Sequence, residues 1–440
     1  MKGNPASPAR PDAHFEFGGP IGAGMNIIAL PFLVMALCFL CGENFCLRGI
    51  RFDTIGDAAG NIPENLADLF SLAAFKVCIQ WVFFQVLLDR VLPGRVVQGV
   101  LLKDGSRLSY KLNGHAAFWV SLAVIAPSLM ELNGVKLQYA SLNLAGLYDM
   151  YEGLAIASAT ISVALSIGLY FASYRPGAKL ADDAGTVGLN AVYDFWMGRE
   201  LNPRIGSLDL KVFCELRPGL IGWVVLNLGM LAKQKEVLGY VSASMVMINL
   251  FQGLYVWDAL FFERAILTTM DITTEGFGYM LAFGDLCWVP IVYSLQAHYL
   301  VTNDPELPLW AVLCISLLCL FGYVIFRGAN GQKDAFRRDP NAPAVSHLKW
   351  MPTKRGTKLL TSGWWGAARK INYTGDWIMG LSWCMFTGFK SPVPYFYSIY
   401  FGILLVHRAL RDDHACAAKY GQDWNAYKQK VPSLFIPGLI

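Results

Sequence analysis

Long apolar runs recur along this 440-residue chain, and most approach the roughly 20 residues that an α-helix needs to cross a bilayer. Only 15% of the residues are charged and 55% are hydrophobic, whereas soluble domains carry about 25% charged residues. The sequence therefore predicts an all-α, multi-pass integral membrane protein. It predicts about ten transmembrane helices, at residues 25–45, 66–88, 116–132, 151–171, 220–231 (with a possible extension on either side), 243–262, 277–300, 309–326, 377–389 and 395–407.

The predicted spans divide the chain into a short tail and two groups of helices. Residues 1–24 are polar and glycine-rich, without the apolar core of a signal peptide. About four broadly apolar spans lie in residues 25–175. Residues 176–440 carry about six more helices, in which polar groups occur in loops and spans alike. We therefore expect the catalytic transmembrane domain, with its cofactor and substrate pockets, in this C-terminal group.

Basic residues are concentrated in alternate loops. By the positive-inside rule, this bias predicts that both termini are cytoplasmic. The net charge of +4 then reflects the loops and requires no nucleic-acid partner. The basic residues of the expected cytoplasmic segments are Arg95, Lys103, Arg107, Lys111, Arg199, Arg204, Lys211, Lys333, Arg337, Arg338, Lys354, Arg355 and Lys358, against chiefly Arg48, Arg51, Lys233 and Lys235 on the opposite side.

The ten cysteines are scattered along the chain. Cys38 and Cys41 form a C-x-x-C, but on an apolar run without a nearby histidine, so core packing explains them better than redox or zinc chemistry. No disulfide framework is visible, and the six histidines show no metal-binding spacing. The sequence predicts no metal site.

Charged and aromatic residues directly follow the last apolar run. Arg408, Asp412 and Cys416 are spaced four apart, so a helix would place them on one face together with Arg411. One interpretation is a juxtamembrane helix that anchors the C-terminus. Because charge beside a bilayer is costly, a ligand site is the better hypothesis.

A second polar stretch, residues 327–375, combines cations with aromatic and amide groups. Lys333 and Arg337 suit phosphate, Trp365 suits stacking on a flat ring, and Asn372 suits an amide. The stretch therefore predicts a site for a phosphorylated, ring-bearing ligand, with an ordinary basic loop as the alternative. Neither a Rossmann nor a P-loop motif is present, so helices and side chains would hold such a nucleotide.

Three carboxylates fall within or at the end of predicted spans. Asp258 lies in the sixth span, Glu263 at its end and Asp285 in the seventh, and Tyr255 accompanies them. Carboxylates at that depth must face a cavity or pair internally. They indicate a polar pocket, although Asp258 or Asp285 could instead pair with a helix terminus or an arginine.

Two stretches resemble the signatures of the sterol reductase family: DFWMGRELNPRIG at 194–206, and 404–424 with HR at 407–408, RDD at 411–413 and KYG at 419–421. The similarity extends from about Phe15 to the C-terminus. It is closest to the branch of the Δ14-sterol reductases and the lamin-B receptor, through FEFGGP at 15–20, CELRPGL at 214–220, LTTMDIT at 267–273 and AFGD at 282–285. The receptor's chromatin-binding region has no counterpart in the roughly 24 residues that precede the first span.

The resemblance implies an NADPH-dependent oxidoreductase that reduces the sterol C14=C15 double bond. An isolated alkene accepts hydride poorly, so a proton delivered to C15 would first leave a cation at C14, which hydride then quenches. The sterol would arrive from the bilayer. The expected location is the endoplasmic reticulum membrane, or the inner membrane in a bacterium.

The same resemblance implies roles for the polar residues. Tyr255 would donate the proton, with Asp412 as the competing donor. The sterol side would be lined by Tyr255, Asp258, Glu263 and Asp285. On the cofactor side, Lys333 and Arg337 would hold the 2′-phosphate and adenosine, Trp365, Asn372, Arg408 and Asp412 the middle and the nicotinamide end, and Tyr420 and Tyr427 would close the pocket.

Other readings remain open. Phe262-Glu263-Arg264 departs from the His-Glu-Glu common among relatives, which leaves reduction at another sterol bond, Δ7 or Δ24, as an alternative. Arg369-Lys370 replaces an Arg-His pair and keeps its positive charge. A membrane methyltransferase that uses S-adenosylmethionine and a non-catalytic sterol-binding protein are less well supported. The oligomeric state is not indicated by the sequence.

Overall fold

The computed structural model describes residues 15–41, 46, 62, 69–102, 105–132, 142–181 and 185–439. Lys103, Arg48 and Arg51, which enter the predicted orientation, lie outside the described residues, as do residues 1–14 of the tail and parts of the first two predicted spans. The long helices are α1 Gly19–Phe39, α2 Leu72–Val91, α3 Gly114–Leu132, α4 Tyr151–Ala172, α5 Leu210–Leu238, α6 Ala243–Phe261, α7 Tyr279–Leu300, α8 Leu309–Arg338, α9 Ile371–Met385 and α10 Phe396–Tyr420, followed by α11 Gln422–Lys430.

Short elements join the long helices. Three two-stranded antiparallel sheets are formed by β1 Arg95–Leu101 with β2 Arg107–Leu112, β3 Arg204–Ile205 with β4 Leu208–Asp209, and β5 Trp350–Pro352 with β6 Lys358–Leu360. Short helices lie at Gly146–Asp149, Ala191–Met197, Glu263–Thr268, Met270–Thr273, Trp364–Ala367 and Val393–Tyr395. The strands are loop hairpins, so the fold is helical as predicted.

Eight helices in the described part of the chain are long and apolar enough to cross a membrane: α1, α2, α4, α5, α6, α7, α8 and the segment Val393–Tyr420 that contains α10. The two remaining predicted spans correspond to shorter helices, α3 and the 15-residue α9. The predicted count of about ten is therefore approximate, and the multi-pass architecture is confirmed.

Several helices are longer than their apolar runs. The short run at 220–231 lies inside α5, which extends in both directions and is interrupted only where Arg217 precedes Pro218. The run at 309–326 continues as α8 to Arg338, and the run at 395–407 continues as α10 to Tyr420. Both charged stretches therefore begin on rigid helices and not in loops.

The interpretation of Cys41 as a core-packing residue was wrong, because it forms a disulfide with Cys46. α1 ends at Phe39, six residues before the predicted end of the span, so Cys41 lies beyond the helix and Cys46 can pair with it. Cys38 is buried within α1, as core packing predicts.

The chain divides into two compact units. Unit 1 comprises residues 1–241 and 252–303, and unit 2 comprises residues 242–251 and 304–440. α6 therefore contributes its first half to unit 2 and its second half to unit 1. The predicted catalytic domain at 176–440 is a functional division and stays a prediction.

Small residues bring the helices of unit 2 into close contact. A Cβ atom added to Gly375 on α9 would lie 2.6 Å from the carbonyl oxygen of Gly322 on α8, so only glycine allows this approach. Gly402 on α10 faces the indole of Trp377 on α9 in the same way. Close backbone approach at glycine is a common way for membrane helices to pack. It holds α8, α9 and α10 side by side, and these three helices carry most of the predicted cofactor residues.

Candidate active site

Near the C-terminal end of α8, which we expect to be cytoplasmic, Lys333 lies over the ring of Trp365. The Nζ of Lys333 is 3.9 Å from the ring centroid of Trp365. Trp365 is only 5% exposed, and its indole N–H donates to the carbonyl of Ala329, 2.7 Å away. The ring is therefore fixed, and its face holds the lysine by a cation–π contact.

A second lysine pairs with the predicted tail carboxylate. The Nζ of Lys370 donates to Oδ2 of Asp412 in an ion pair. Asp412 also lies within 3.8 Å of the thiol of Cys416, one turn further along α10. Lys333 interacts electrostatically with Lys370, Arg337 and Asp412, so three cations and one carboxylate form a single charged cluster.

Two asparagines join α8 to α9 beside this cluster. Asn372 donates through Nδ2 to Oδ1 of Asn330 at 3.3 Å, and Asn330 precedes Lys333 by one helical turn. The Oδ1 of Asn372 is buried and has no hydrogen-bond partner among the described residues. A buried acceptor without a donor is costly, so this oxygen is a place where a ligand N–H fits.

Aromatic residues of the C-terminal tail pack beside Trp365. Tyr427 donates from its hydroxyl to the carbonyl of Trp365 at 3.4 Å, and burial raises the pKa of Tyr427 to about 12. Trp424 packs between Tyr427 and Tyr420, with ring centroids 5.1 Å and 6.2 Å away. Tyr427 thus contacts the predicted site, whereas Tyr420 packs one ring further away, on Trp424.

The remaining predicted cofactor residues are on the same helices. Arg337 is exposed in the last turn of α8, one turn after Lys333. Arg408 is half-buried on α10, one turn before Asp412. The structure thus brings together Lys333, Trp365, Asn372, Asp412 and Tyr427, with Arg337 and Arg408 on the adjoining turns.

Two participants were not predicted as site residues. In the sequence Lys370 is notable only as a retained positive charge close to Asn372, and Asn330 only as a polar residue one helical turn before Lys333. Their roles depend on contacts 42 residues away along the chain. A search for complementary pairs between the two charged stretches could have found Lys370 with Asp412.

Chemically, this cluster suits an elongated anion with flat rings. Cations bind phosphate, an indole face supports a planar ring, and a free amide oxygen accepts from a carboxamide. These are the groups that a dinucleotide offers, so the residues present fit the cofactor that the sequence predicts.

In unit 1, Tyr255 lies beside a buried network of amides. The rings of Tyr255 and Trp223 lie in an edge-to-face arrangement, with their centroids 6.2 Å apart. Gln252, one turn before Tyr255, accepts from Trp223 and from Asn227 and donates to Gln296. Polar groups buried at this depth within a span are expensive and mark functional sites.

The predicted sterol-side carboxylates have different surroundings. Glu263 is engaged: it accepts from the backbone N–H of Gly114 at 3.0 Å and faces Arg217 at 4.0 Å, and burial raises the pKa of Glu263 to about 7. Arg217 also pairs with Asp89 at 3.1 Å. Glu263 thus anchors the start of α3, and its predicted contact with sterol stays a prediction.

Asp258 is buried in α6 and Asp285 in α7. Asp285 lies in a π-helical turn, Gly284–Trp288, and its Oδ2 has no hydrogen-bond partner among the described residues. π-helical turns within α-helices occur frequently at functional sites. Asp285 is therefore the one of these carboxylates with a buried oxygen left for a ligand in the described part of unit 1.

The first signature stretch, 194–206, performs a structural task. Arg199 pairs with Asp194 at 2.8 Å, and Arg175 pairs with Glu200 at 2.6 Å. Gly198 has φ +83° and lies so close to the backbone of Phe277 that no side chain fits there. These contacts fix the polypeptide between α4 and α5.

The amino-acid sequence is similar to those of known proteins over nearly its whole length. Residues 11–440 match the Ergosterol biosynthesis ERG4/ERG24 family. The chain is 46% identical over 430 residues to a Delta(14)-sterol reductase of Ascobolus immersus, covering 97% of this chain and 99% of that protein. It is 45% identical to the Delta(14)-sterol reductase erg24 of Schizosaccharomyces pombe, with 96% of each chain covered. It is also 45% identical to the Delta(14)-sterol reductase LBR of Gallus gallus, covering 97% of this chain and 64% of that longer protein.

With that coverage, this chain belongs to the Ergosterol biosynthesis ERG4/ERG24 family.

Proposed function

We propose that this protein is a Δ14-sterol reductase that uses NADPH to reduce the C14=C15 bond of a sterol drawn from the bilayer. The names of its relatives support the sterol and the bond. The observation that carries the cofactor assignment is the cluster in which Lys333 lies on Trp365 while Lys370 pairs with Asp412.

On the cofactor side, the task of the protein is to bind NADPH and hold it in one orientation. Lys333 and Arg337 would bind the 2′-phosphate, since NADPH differs from NADH by that group and two cations one turn apart suit it. The face of Trp365 and the free Oδ1 of Asn372 would orient the flat rings and the carboxamide. When bound, NADPH supplies the hydride. Arg408 and the Lys370–Asp412 pair would fix its nicotinamide end.

The proton end requires an acid. Asp412 is already engaged by the Nζ of Lys370, within the cluster assigned to the cofactor. We therefore assign the donor to Tyr255, whose neighbours Trp223 and Gln252 are themselves held by hydrogen bonds. Asp258 and Asp285 would stabilise the positive charge that protonation leaves on the sterol.

We also propose that the protein resides in the endoplasmic reticulum membrane with both termini in the cytoplasm. The disulfide supports this orientation, because Cys41 and Cys46 follow α1 and would then face the lumen. Disulfides persist in such oxidising compartments and are rare in the cytosol.

The test is a turnover assay on the purified full-length protein in detergent with NADPH. Sterols with a Δ14, Δ7 or Δ24 double bond are supplied separately, and products are identified by mass analysis. We expect the Δ14 sterol alone to gain two hydrogens. Reduction of the Δ7 or Δ24 sterol instead would replace the assignment of the bond, and equal rates with NADH would overturn that of the cofactor.

A second experiment tests the donor. Tyr255→Phe keeps the ring against Trp223 but removes the hydroxyl, so turnover should fall by about 10²-fold or more while NADPH affinity stays unchanged. Asp412→Asn should instead weaken NADPH binding, while turnover at saturating NADPH stays near the wild-type value. Wild-type turnover in Tyr255→Phe would remove Tyr255 from the proton path.

A further inference from the structure

Unit 1 contains an open apolar pocket that plays no part in the proposed reaction. Its volume is about 120 Å³, and its wall is formed by α2, α4, α5 and α7 together with Leu147. No charged side chain occurs among the residues that line it.

The few hydrogen-bonding groups of the wall are already occupied. The indole N–H of Trp81 donates to the carbonyl of Pro218 at 2.9 Å. The hydroxyl of Ser158 donates to the carbonyl of Ala155 at 3.1 Å, and the thiol of Cys78 points to that of Leu154. The wall therefore offers hydrocarbon contact and no free donor to an occupant.

The depth of the pocket also argues against a polar occupant. On α2 the wall residues run from Val77 to Val82, five to ten residues into a 20-residue helix. At a rise of about 1.5 Å per residue, they lie roughly 8–15 Å from the first residue of α2 and roughly 14–21 Å from the last. This is hydrocarbon depth in a spanning helix, below the lipid headgroups.

The pocket is continuous with a surface of bilayer character. On α2, Ile79 is 57% exposed and Phe83 is 68% exposed, and each directly follows a wall residue, Cys78 or Val82. Large apolar side chains exposed along a spanning helix face lipid. A hydrocarbon chain can therefore reach the pocket laterally from the membrane.

α5 separates the pocket from the neighbourhood of Tyr255. Gly222 lines the pocket, where its missing Cβ leaves room for Trp81. The next residue, Trp223, points to Gln252 and Tyr255 on α6. The two sites use different faces of one helix, so we treat an occupant of the pocket as distinct from the reacting sterol.

We propose that this pocket binds one acyl chain of a bilayer glycerophospholipid as a resident structural ligand. A flexible chain reaches hydrocarbon depth while its headgroup stays at the interface. A sterol would bring a rigid ring system and a hydroxyl to which the wall has no free hydrogen-bond donor to offer. This lipid site is independent of the proposed reductase chemistry.

The test uses the full-length protein in nanodiscs that contain either a phosphatidylcholine with a photoreactive diazirine on one acyl chain or a diazirine-bearing sterol. After irradiation, adducts are mapped by peptide mass spectrometry. We expect the phospholipid probe to label residues of α2 or α4 that line the pocket. Gly222→Leu and, separately, Val77→Trp should lower that labelling by about tenfold, because each fills the space that the chain occupies.

Gly168→Leu is the matched control, since Gly168 lies on α4 away from the pocket and a Cβ there meets nothing within 4 Å. Its labelling should equal that of the wild type. Val77→Trp keeps the test valid if Gly222→Leu does not fold, which size-exclusion chromatography reports. Absent labelling, equal labelling in the filled variants, or labelling by the sterol probe alone would each overturn the proposal.

Discussion

At the scale of single residues, Lys333 has a charge that is positioned before any ligand arrives. Its ammonium group rests on the indole of Trp365, which is itself fixed by a hydrogen bond to Ala329. A pre-positioned cation spends little conformational entropy on binding. Lys370, held by Asp412, is positioned in the same way.

We expect Lys333→Met to weaken NADPH binding by about tenfold to a hundredfold, the range of one charge-assisted hydrogen bond. Affinity for NADH should change much less, because NADH lacks the 2′-phosphate. Isothermal titration with both nucleotides measures the difference. Lys354→Met, an exposed cation of the same unit, serves as the control, and an equal loss for both nucleotides would contradict the 2′-phosphate role.

The burial of Glu263 makes the stability of the folded protein depend on pH. Burial raises the pKa of this carboxyl from its ordinary value of 4.5 to about 7, against the attraction of Arg217 and the N–H of Gly114. Because the pKa is higher in the folded protein, ionisation opposes folding. The stability that is fully present below pH 4.5 is lost as the pH rises toward and through about 7.

Glu263→Gln should flatten this dependence, since glutamine still accepts from Gly114 but does not ionise. The measurement is the thermal midpoint in detergent between pH 4.5 and 7.5. Glu306→Gln, at an exposed position, should retain the wild-type slope. An unchanged slope in Glu263→Gln would show that another group titrates.

At the scale of elements, the contact of α8 with α9 determines the cofactor site. The backbones approach at Gly322 and Gly375, and two turns further along α8 the amides of Asn330 and Asn372 meet. Any wedge at the glycines would separate the asparagines. The site is therefore sensitive to residues that never contact a ligand.

Gly375→Ala should destabilise the protein by about 1–3 kcal/mol, the usual cost of overpacking, and should also weaken NADPH binding. Thermal unfolding and nucleotide titration give the two values. In Gly331→Ala, on an open face of α8, affinity should remain at wild-type level and stability should not fall, because alanine favours the helix. A stable Gly375→Ala protein with normal affinity would mean that the helices can part without consequence.

Much of this arrangement could be predicted from the sequence, for identifiable reasons. Apolar runs predict spans because hydrocarbon excludes charge, and the i, i+4 spacing of Arg408, Asp412 and Cys416 predicts a common helix face. The end of α1 and the Cys41–Cys46 pair were missed because the predicted span was extended to Phe45, across Gly42, Glu43 and Asn44. The pairing of Lys370 with Asp412 was missed because no local pattern joins residues 42 apart.

At the scale of the whole molecule, loop charges and the disulfide agree on one topology. An epitope tag added after Ile440 should be accessible to protease in intact microsomes. Cys41 and Cys46 should resist a membrane-impermeant maleimide until the membrane is opened and the disulfide is reduced. The Cys41→Ser/Cys46→Ser double variant is the labelling control. A tag that becomes accessible only after permeabilisation would reverse the proposed orientation.

The length of α8 determines how far Lys333 lies from the apolar stretch of the helix. Its apolar stretch stops at Phe326, and the rigid helix carries Lys333 seven residues, or about 10 Å, further. We expect that distance to place the ammonium group at the level of the lipid headgroups, where lipid phosphates and carboxylates would surround it. A more anionic membrane should therefore compete with the proposed coenzyme for this lysine, so lipid composition would influence how well the coenzyme binds.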